Sequence, residues 1–85
     1  MILKIAELKA EAKKIGTTPM LLLRKVGIGE KAFSPVMKGA GVGSEVVKEM
    51  YNRYGREFVM NVVDFEGGTI NGFESKYVKS GNKLY

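Results

Sequence analysis

Ile5, Leu8, Ala12 and Ile15 recur at steps of three and four, and Lys4, Glu7, Lys9, Glu11, Lys13 and Lys14 fill the positions between them. At 3.6 residues per turn the apolar set lines one face and the charges form a solvated face opposite. This predicts an amphipathic helix over residues 2 to 15, ended by Gly16. From Thr18 the apolar positions become Leu22, Leu23, Val26, Ile28, Phe33 and Val36, with mostly polar residues between them. That pattern predicts two short helices packed across a tight turn on one small core. Thr18 is placed to cap the first helix, Pro19 at its first position gives up no hydrogen bond, and the helix should run to about Val26. Gly27 supplies the positive φ of a sharp reversal, and a second helix should follow from about Glu30 to Lys38. Beyond a glycine-rich linker from Gly39 to Gly43, Ser44 is expected to cap a fourth helix. Val46, Val47, Met50, Tyr51 and Tyr54 would form one stripe of that helix, and Gly55 would end it.

After Gly55 the texture changes. Phe58, Met60 and Val62 alternate, and after the loop EGGTING so do Phe73, Ser75 and Tyr77. The expectation is a β-hairpin, two strands joined by a glycine-rich loop, with a turn at Ser80, Gly81 and Asn82. A fifth helix is the rival reading of the first segment, because Phe58, Val59, Val62 and Val63 also fit a helical stripe. The fold expected is therefore mainly α: a four-helix domain over residues 1–55 and a β-hairpin extension over 56–85.

The spacing around Gly27 is more specific than that of a generic helical hairpin. Leu23 lies four before it, Ile28 directly after it, Phe33 six after and Val36 nine after, and Gly39 closes the set twelve after. Two short helices so joined read as a helix-turn-helix, the unit that lays its second helix in the major groove of DNA. From Leu8 to Gly55 the chain resembles the lambda-repressor-like family of phage, plasmid and bacterial regulators, the Cro and repressor type. It departs from the family in two places. Leu23 stands where the family usually has alanine, and Pro35 falls inside the reading helix unless that helix starts only near Ala32. The resemblance implies a DNA-binding domain, and a tail hairpin like the element that joins two subunits in Cro-type proteins.

Composition narrows the choices further. The chain has 85 residues, enough for one small domain, and a net charge of +5 from 14 Lys and Arg against 9 Asp and Glu. A basic excess favours a polyanionic partner. There is no cysteine, which suits the cytoplasm, and the longest apolar run is four residues, far short of a membrane span. Histidine is also absent, so transition-metal sites lose their best ligands and catalysis at neutral pH its readiest base. Asp64, Glu66 and Glu74 read as surface charge, and neither a cofactor nor an enzymatic activity is expected. GAGVGS has the glycines of a phosphate loop but neither the preceding strand nor the following lysine-serine.

In the helix-turn-helix reading, roles follow from position. Thr17 and Thr18 at the start of the second helix would meet a phosphate through amides and hydroxyls. Gly29, Glu30, Lys31, Ser34 and Lys38 would face the groove, lysine donating to guanine, serine to several bases, and glutamate accepting from cytosine N4. Gly39, Gly41 and Val42 would bring backbone close to the next phosphate. The alternating faces of Phe58, Met60, Val62 and of Phe73 and Tyr77 would pair two copies through residues 56 to 79.

Three functions stay open. The first is a sequence-specific regulator that binds an operator in double-stranded DNA as a homodimer. The second is a protein-binding module, an antitoxin or phage-encoded inhibitor, using Phe58, Val59, Phe65, Phe73 and Tyr77 of the tail for its partner. The third is a helix-hairpin-helix, which the Gly27-Ile28-Gly29 and Gly41-Val42-Gly43 runs also fit and which grips phosphate without reading bases. The complete N-terminal order, a helix ending at Gly16 and then Thr18-Pro19, favours the first.

Overall fold

The computed structural model describes residues 1–78, and among these the chain is mainly helical. Helices α1 (Ile5–Lys14), α2 (Pro19–Lys25), α3 (Glu30–Met37), α4 (Ser44–Tyr54) and α5 (Arg56–Val62) follow in order. A short α6 (Ile70–Phe73) then runs on into a π-helical turn, Glu74–Val78. Two strands, β1 (Ile2–Leu3) and β2 (Val63–Asp64), pair antiparallel with Ile2 opposite Asp64 and Leu3 opposite Val63. The turn expected at Ser80 to Asn82 lies outside the described residues.

Local chemistry explains the first helices. Thr18 Oγ1 accepts from the Leu21 N–H at 3.3 Å, and Pro19 occupies the first helical position. At the other end of α2 the Gly27 N–H donates to the Arg24 carbonyl at 3.2 Å and the Ile28 N–H to the Leu23 carbonyl at 2.9 Å. This double closure needs a left-handed residue between the two bonds, and Gly27 has φ +101°. The same pair of bonds closes α1 (Gly16 N–H to Lys13, Thr17 N–H to Ala12) and α3 (Gly39 N–H to Val36, Ala40 N–H to Pro35). The spacing of Leu23 and Ile28 also gains a reason, for both are buried and are the residues this closure brings into contact.

Two boundaries differ from expectation. α1 begins at Ile5, because Ile2 and Leu3 are drawn into β1. Ser44 is the first residue inside α4, and Gly43 is the N-cap, with no side-chain cap bond. α3 begins at Glu30 as expected and not near Ala32, so Pro35 stands inside the helix rather than in its first turn. Its missing N–H leaves the Lys31 carbonyl without the usual donor one turn on, and Pro35 is exposed, so water can take that place.

The β-hairpin does not form. Residues 56–62 are helical, and the helical stripe Phe58, Val59 and Val62 is buried against α1 and α4, while Met60 points outward at 43% exposure. Residues 73–78 are helical too, and Phe73 and Tyr77, four apart, stack at 5.1 Å between ring centroids. Alternation at Phe58, Met60 and Val62 was outweighed by the helical stripe once Gly55 had turned the chain. Gly55 has φ +99° and ψ +169°, a region essentially restricted to glycine, and serves as C-cap of α4 and N-cap of α5.

Leu8, Ala12, Leu22, Leu23, Val47, Met50, Val59 and Val62 are wholly buried in one cluster that joins α1, α2 and α4 to the segment after Gly55. Residues 1–4 tie the two together. The Val42 N–H, from the α3–α4 linker, donates to the Met1 carbonyl at 2.7 Å, and the Lys4 N–H donates to the Val62 carbonyl at 2.7 Å. Glu74 fastens the last turn. Its carboxylate accepts from the Tyr51 hydroxyl and, at 2.9 Å, from Arg56 Nε, and Arg56 Nη2 also donates to Asn71 Oδ1 at 3.1 Å.

The Tyr51 hydroxyl and then the Arg56 guanidinium hold the Glu74 carboxyl below its ordinary range, while the bond to Glu74 and burial push the Tyr51 hydroxyl up. Glu74 therefore contributes its full stabilisation above the ordinary carboxylate range and loses it as pH falls through the lowered folded value. Tyr51 contributes fully below the ordinary phenol range and loses its share as pH rises through the raised one. Thermal melts of Glu74→Gln should fall less steeply toward acid pH than those of the parent; equal slopes would assign the acid sensitivity to other groups.

Gly55→Ala should cost about 1–3 kcal/mol from its forced backbone, and Gly27→Val about 1 kcal/mol or more. At roughly 4–8 °C per kcal/mol for a domain of this size, both losses are visible in a melting curve. An unchanged melting temperature for Gly27→Val would place the turn elsewhere.

Candidate nucleic-acid interface

α3 presents one polar arc to solvent. At 100° per residue, Glu30, Ser34, Lys38 and Lys31 fall within an arc of roughly 100°. All four are exposed, while Val36 lies opposite and is buried, and Phe33 and Met37 are half-buried between Val36 and Glu30. The buried side is pinned by the turn, since Leu23 and Ile28 fix how α3 departs from α2. The polar arc is thus carried on a rigid element. Lys31 and Lys38 make no ion pair among the described residues, whereas Arg24 Nη2 lies 3.7 Å from Glu30 Oε1 across the turn.

The flanking residues fare differently. Gly29 is the N-cap of α3 in extended backbone (φ −77°, ψ 177°), and its carbonyl accepts from the N–H groups of Ala32 and Phe33. Gly39 is exposed and closes α3 with φ +104°. Thr17 is half-buried, and its amide donates to Ala12 at 2.8 Å, so that amide is not open to a phosphate. The Thr18 hydroxyl is engaged in its cap bond. The Gly16 signal already contained this: a residue just after a closing glycine sends its N–H back into the helix. Gly41 brings backbone close, but to Met1, whose carbonyl would lie 3.4 Å from an added Cβ, and the Val42 amide is spent on that same carbonyl. Arg24 and Lys25, which no sequence pattern singled out, are both exposed in the last turn of α2 beside α3.

In the tail, the residues expected to pair two copies are divided. Phe58, Val62 and Phe73 belong to the core, Tyr77 is half-buried against Phe73, and Met60 alone of the five is exposed. The alternating faces that would have carried the pairing do not exist, because the segment is helical. Val59 is buried and Phe65 half-buried, so the aromatic and aliphatic side chains set aside for a protein partner serve the fold instead. Residue 79 lies outside the described residues.

The carboxylates have structural duties. Asp64 Oδ1 accepts from the Glu66 N–H at 2.9 Å and Glu74 anchors the last turn. Among the described residues no group of three or more His, Cys, Asp or Glu could hold a metal ion, and no helix is long and apolar enough to cross a membrane.

These placements separate surface from scaffold. Lys31→Ala, Ser34→Ala and Lys38→Ala should each change folding stability by no more than about 0.5 kcal/mol. Phe58→Ala should cost about 3–5 kcal/mol, since its ring is buried and stacks on Tyr54 at 4.7 Å. Chemical denaturation of the four variants measures this, and a neutral Phe58→Ala would remove that residue from the core.

No family model, no curated protein and no solved structure matches this chain.

Proposed function

We propose that this protein is a sequence-specific DNA-binding regulator of the lambda-repressor-like, phage or mobile-element type, acting in the cytoplasm. In this reading α2 and α3 are a helix-turn-helix and α3 is the helix that enters the major groove. The observation that carries it is the solvent-facing arc of Lys31, Ser34 and Lys38, free of internal ion pairs among the described residues and held on a helix whose other side is locked into the core. Lysine donates to guanine N7 and O6 and serine to several bases. Lys25 and the remaining basic excess supply phosphate contacts, with a net charge of +5 over the chain. This reading assigns the protein binding and no catalytic step; its sequence contains neither histidine nor cysteine. We further propose that it works as a dimer, two copies reaching successive major grooves about 34 Å apart. The exposed outer face of α5, around Met60, is the surface left for that contact in the segment after Gly55.

A second reading, phosphate gripping by repeated glycine hairpins, has one observation in its favour. Gly29 and Gly43 begin α3 and α4 with nearly the same backbone (φ −77°, ψ 177° and φ −80°, ψ 166°) and without a side-chain cap.

Selection of bound sequences from a random duplex pool separates the readings. A palindromic motif is expected; tight binding without one supports the hairpin grip, and no binding leaves the protein-binding module. Four to six phosphate contacts should give a slope of log affinity against log salt of roughly −4 to −5. Lys31→Ala should lose about 1–3 kcal/mol on the best site and relax preference at one base pair. If it binds chosen and random DNA as the parent does, α3 is not the reading helix.

A further inference from the structure

Of the charges on α2 and α3, one pair is spent inside the molecule. Arg24 in the last turn of α2 and Glu30 at the start of α3 meet across the turn at 3.7 Å, with side chains 54% and 69% exposed. An ion pair so exposed contributes little to folding. Glu30 also stands in the first turn of α3, where the helix N-terminus favours a carboxylate, a small gain that does not depend on sharing an arc with Lys31, Ser34 and Lys38. The effect of Glu30 on an approaching polyanion is direct. The carboxylate repels phosphate, and it holds Arg24, the one arginine of α2 and α3, away from it.

We propose that Glu30 sets specificity by restraint, a role that rests on the reading of α3 as the DNA-facing helix. On random duplex it opposes the backbone and keeps the Arg24 guanidinium engaged, so nonspecific binding stays weak. A site that presents an amino group to the carboxylate, as the N4 of cytosine does in the major groove, offsets the repulsion. Arg24 acts through Glu30 as a positioning residue, fixing the carboxylate at the head of the reading helix.

The test is a salt titration on random-sequence duplex with the parent, Glu30→Gln, Arg24→Ala and the double variant, with melting temperatures measured alongside. The parent slope judges the DNA reading itself: a flat dependence removes that reading and this role with it. Given a steep parent slope, Glu30→Gln should bind random duplex more tightly and steepen the slope by about 0.9, one more phosphate neutralised. Its advantage over the parent then grows about eightfold for each tenfold dilution of salt. Arg24→Ala alone should leave the slope as it was, the double variant should show no steepening, and the variants should melt within the few degrees of the parent that loss of a first-turn carboxylate allows. Parent-like affinity and slope in Glu30→Gln would overturn the proposal. So would steepening that persists in the double variant, or a slope that Arg24→Ala alone flattens by a full contact, which would put Arg24 on a phosphate already.

Discussion

The hydrogen bond from the Ile28 N–H to the Leu23 carbonyl, 2.9 Å long, fixes more of this molecule than any other single contact. It forms only when Gly27 turns left-handed, and it brings the buried side chains of Leu23 and Ile28 together at the base of α3. Once they meet, Phe33 and Val36 face the same cluster and the polar side of α3 can only face water. The same closure ends α1 and α3, so three short helices are folded back in succession by one device. Helices this short are not stable alone. Their persistence depends on the common core that the closures assemble.

The second constraint is the tie of the first four residues to the α3–α4 linker and to the end of α5. Residues 1–4 bond to Val42 on one side and to Val62 on the other, and Leu3 is buried beside Val63. A two-residue strand pair is negligible as a sheet. As a clasp it holds the start of α1 against the end of α5 and seats Phe58, Val59 and Val62 in the core. Tyr51 and Arg56 then converge on Glu74, so the last turn is held by charge and hydrogen bonding more than by depth of burial.

The proposed function follows from what this scaffold leaves outside. Every buried side chain among the described residues is apolar, so charge resides wholly on the surface. The polar arc of α3 combines two lysines without internal ion partners among the described residues and one carboxylate already paired with Arg24. A surface that was simply basic would hold any DNA. An acid set among bases on a rigid helix can distinguish one arrangement of donors and acceptors from another.

The first four helices were legible from the sequence because their signals are local. Thr18-Pro19, the closing glycines and the spacing of Leu22, Leu23, Val26, Phe33 and Val36 act within a few residues of themselves, and so did the outward arc of Glu30, Lys31, Ser34 and Lys38. What only the tertiary structure decided was settled by partners far along the chain. Ile2 and Leu3 continue a helical pattern yet pair with residues 63 and 64, and 56–62 alternates like a strand yet packs as a helix, because burying Phe58, Val59 and Val62 together outweighs an edge with no sheet to join. The engagement of Gly41 and Val42 with Met1, and of Arg24 with Glu30, likewise depends on groups brought together in space. Local signals set where helices start and stop; burial, which depends on every segment at once, chose among the forms those signals allowed.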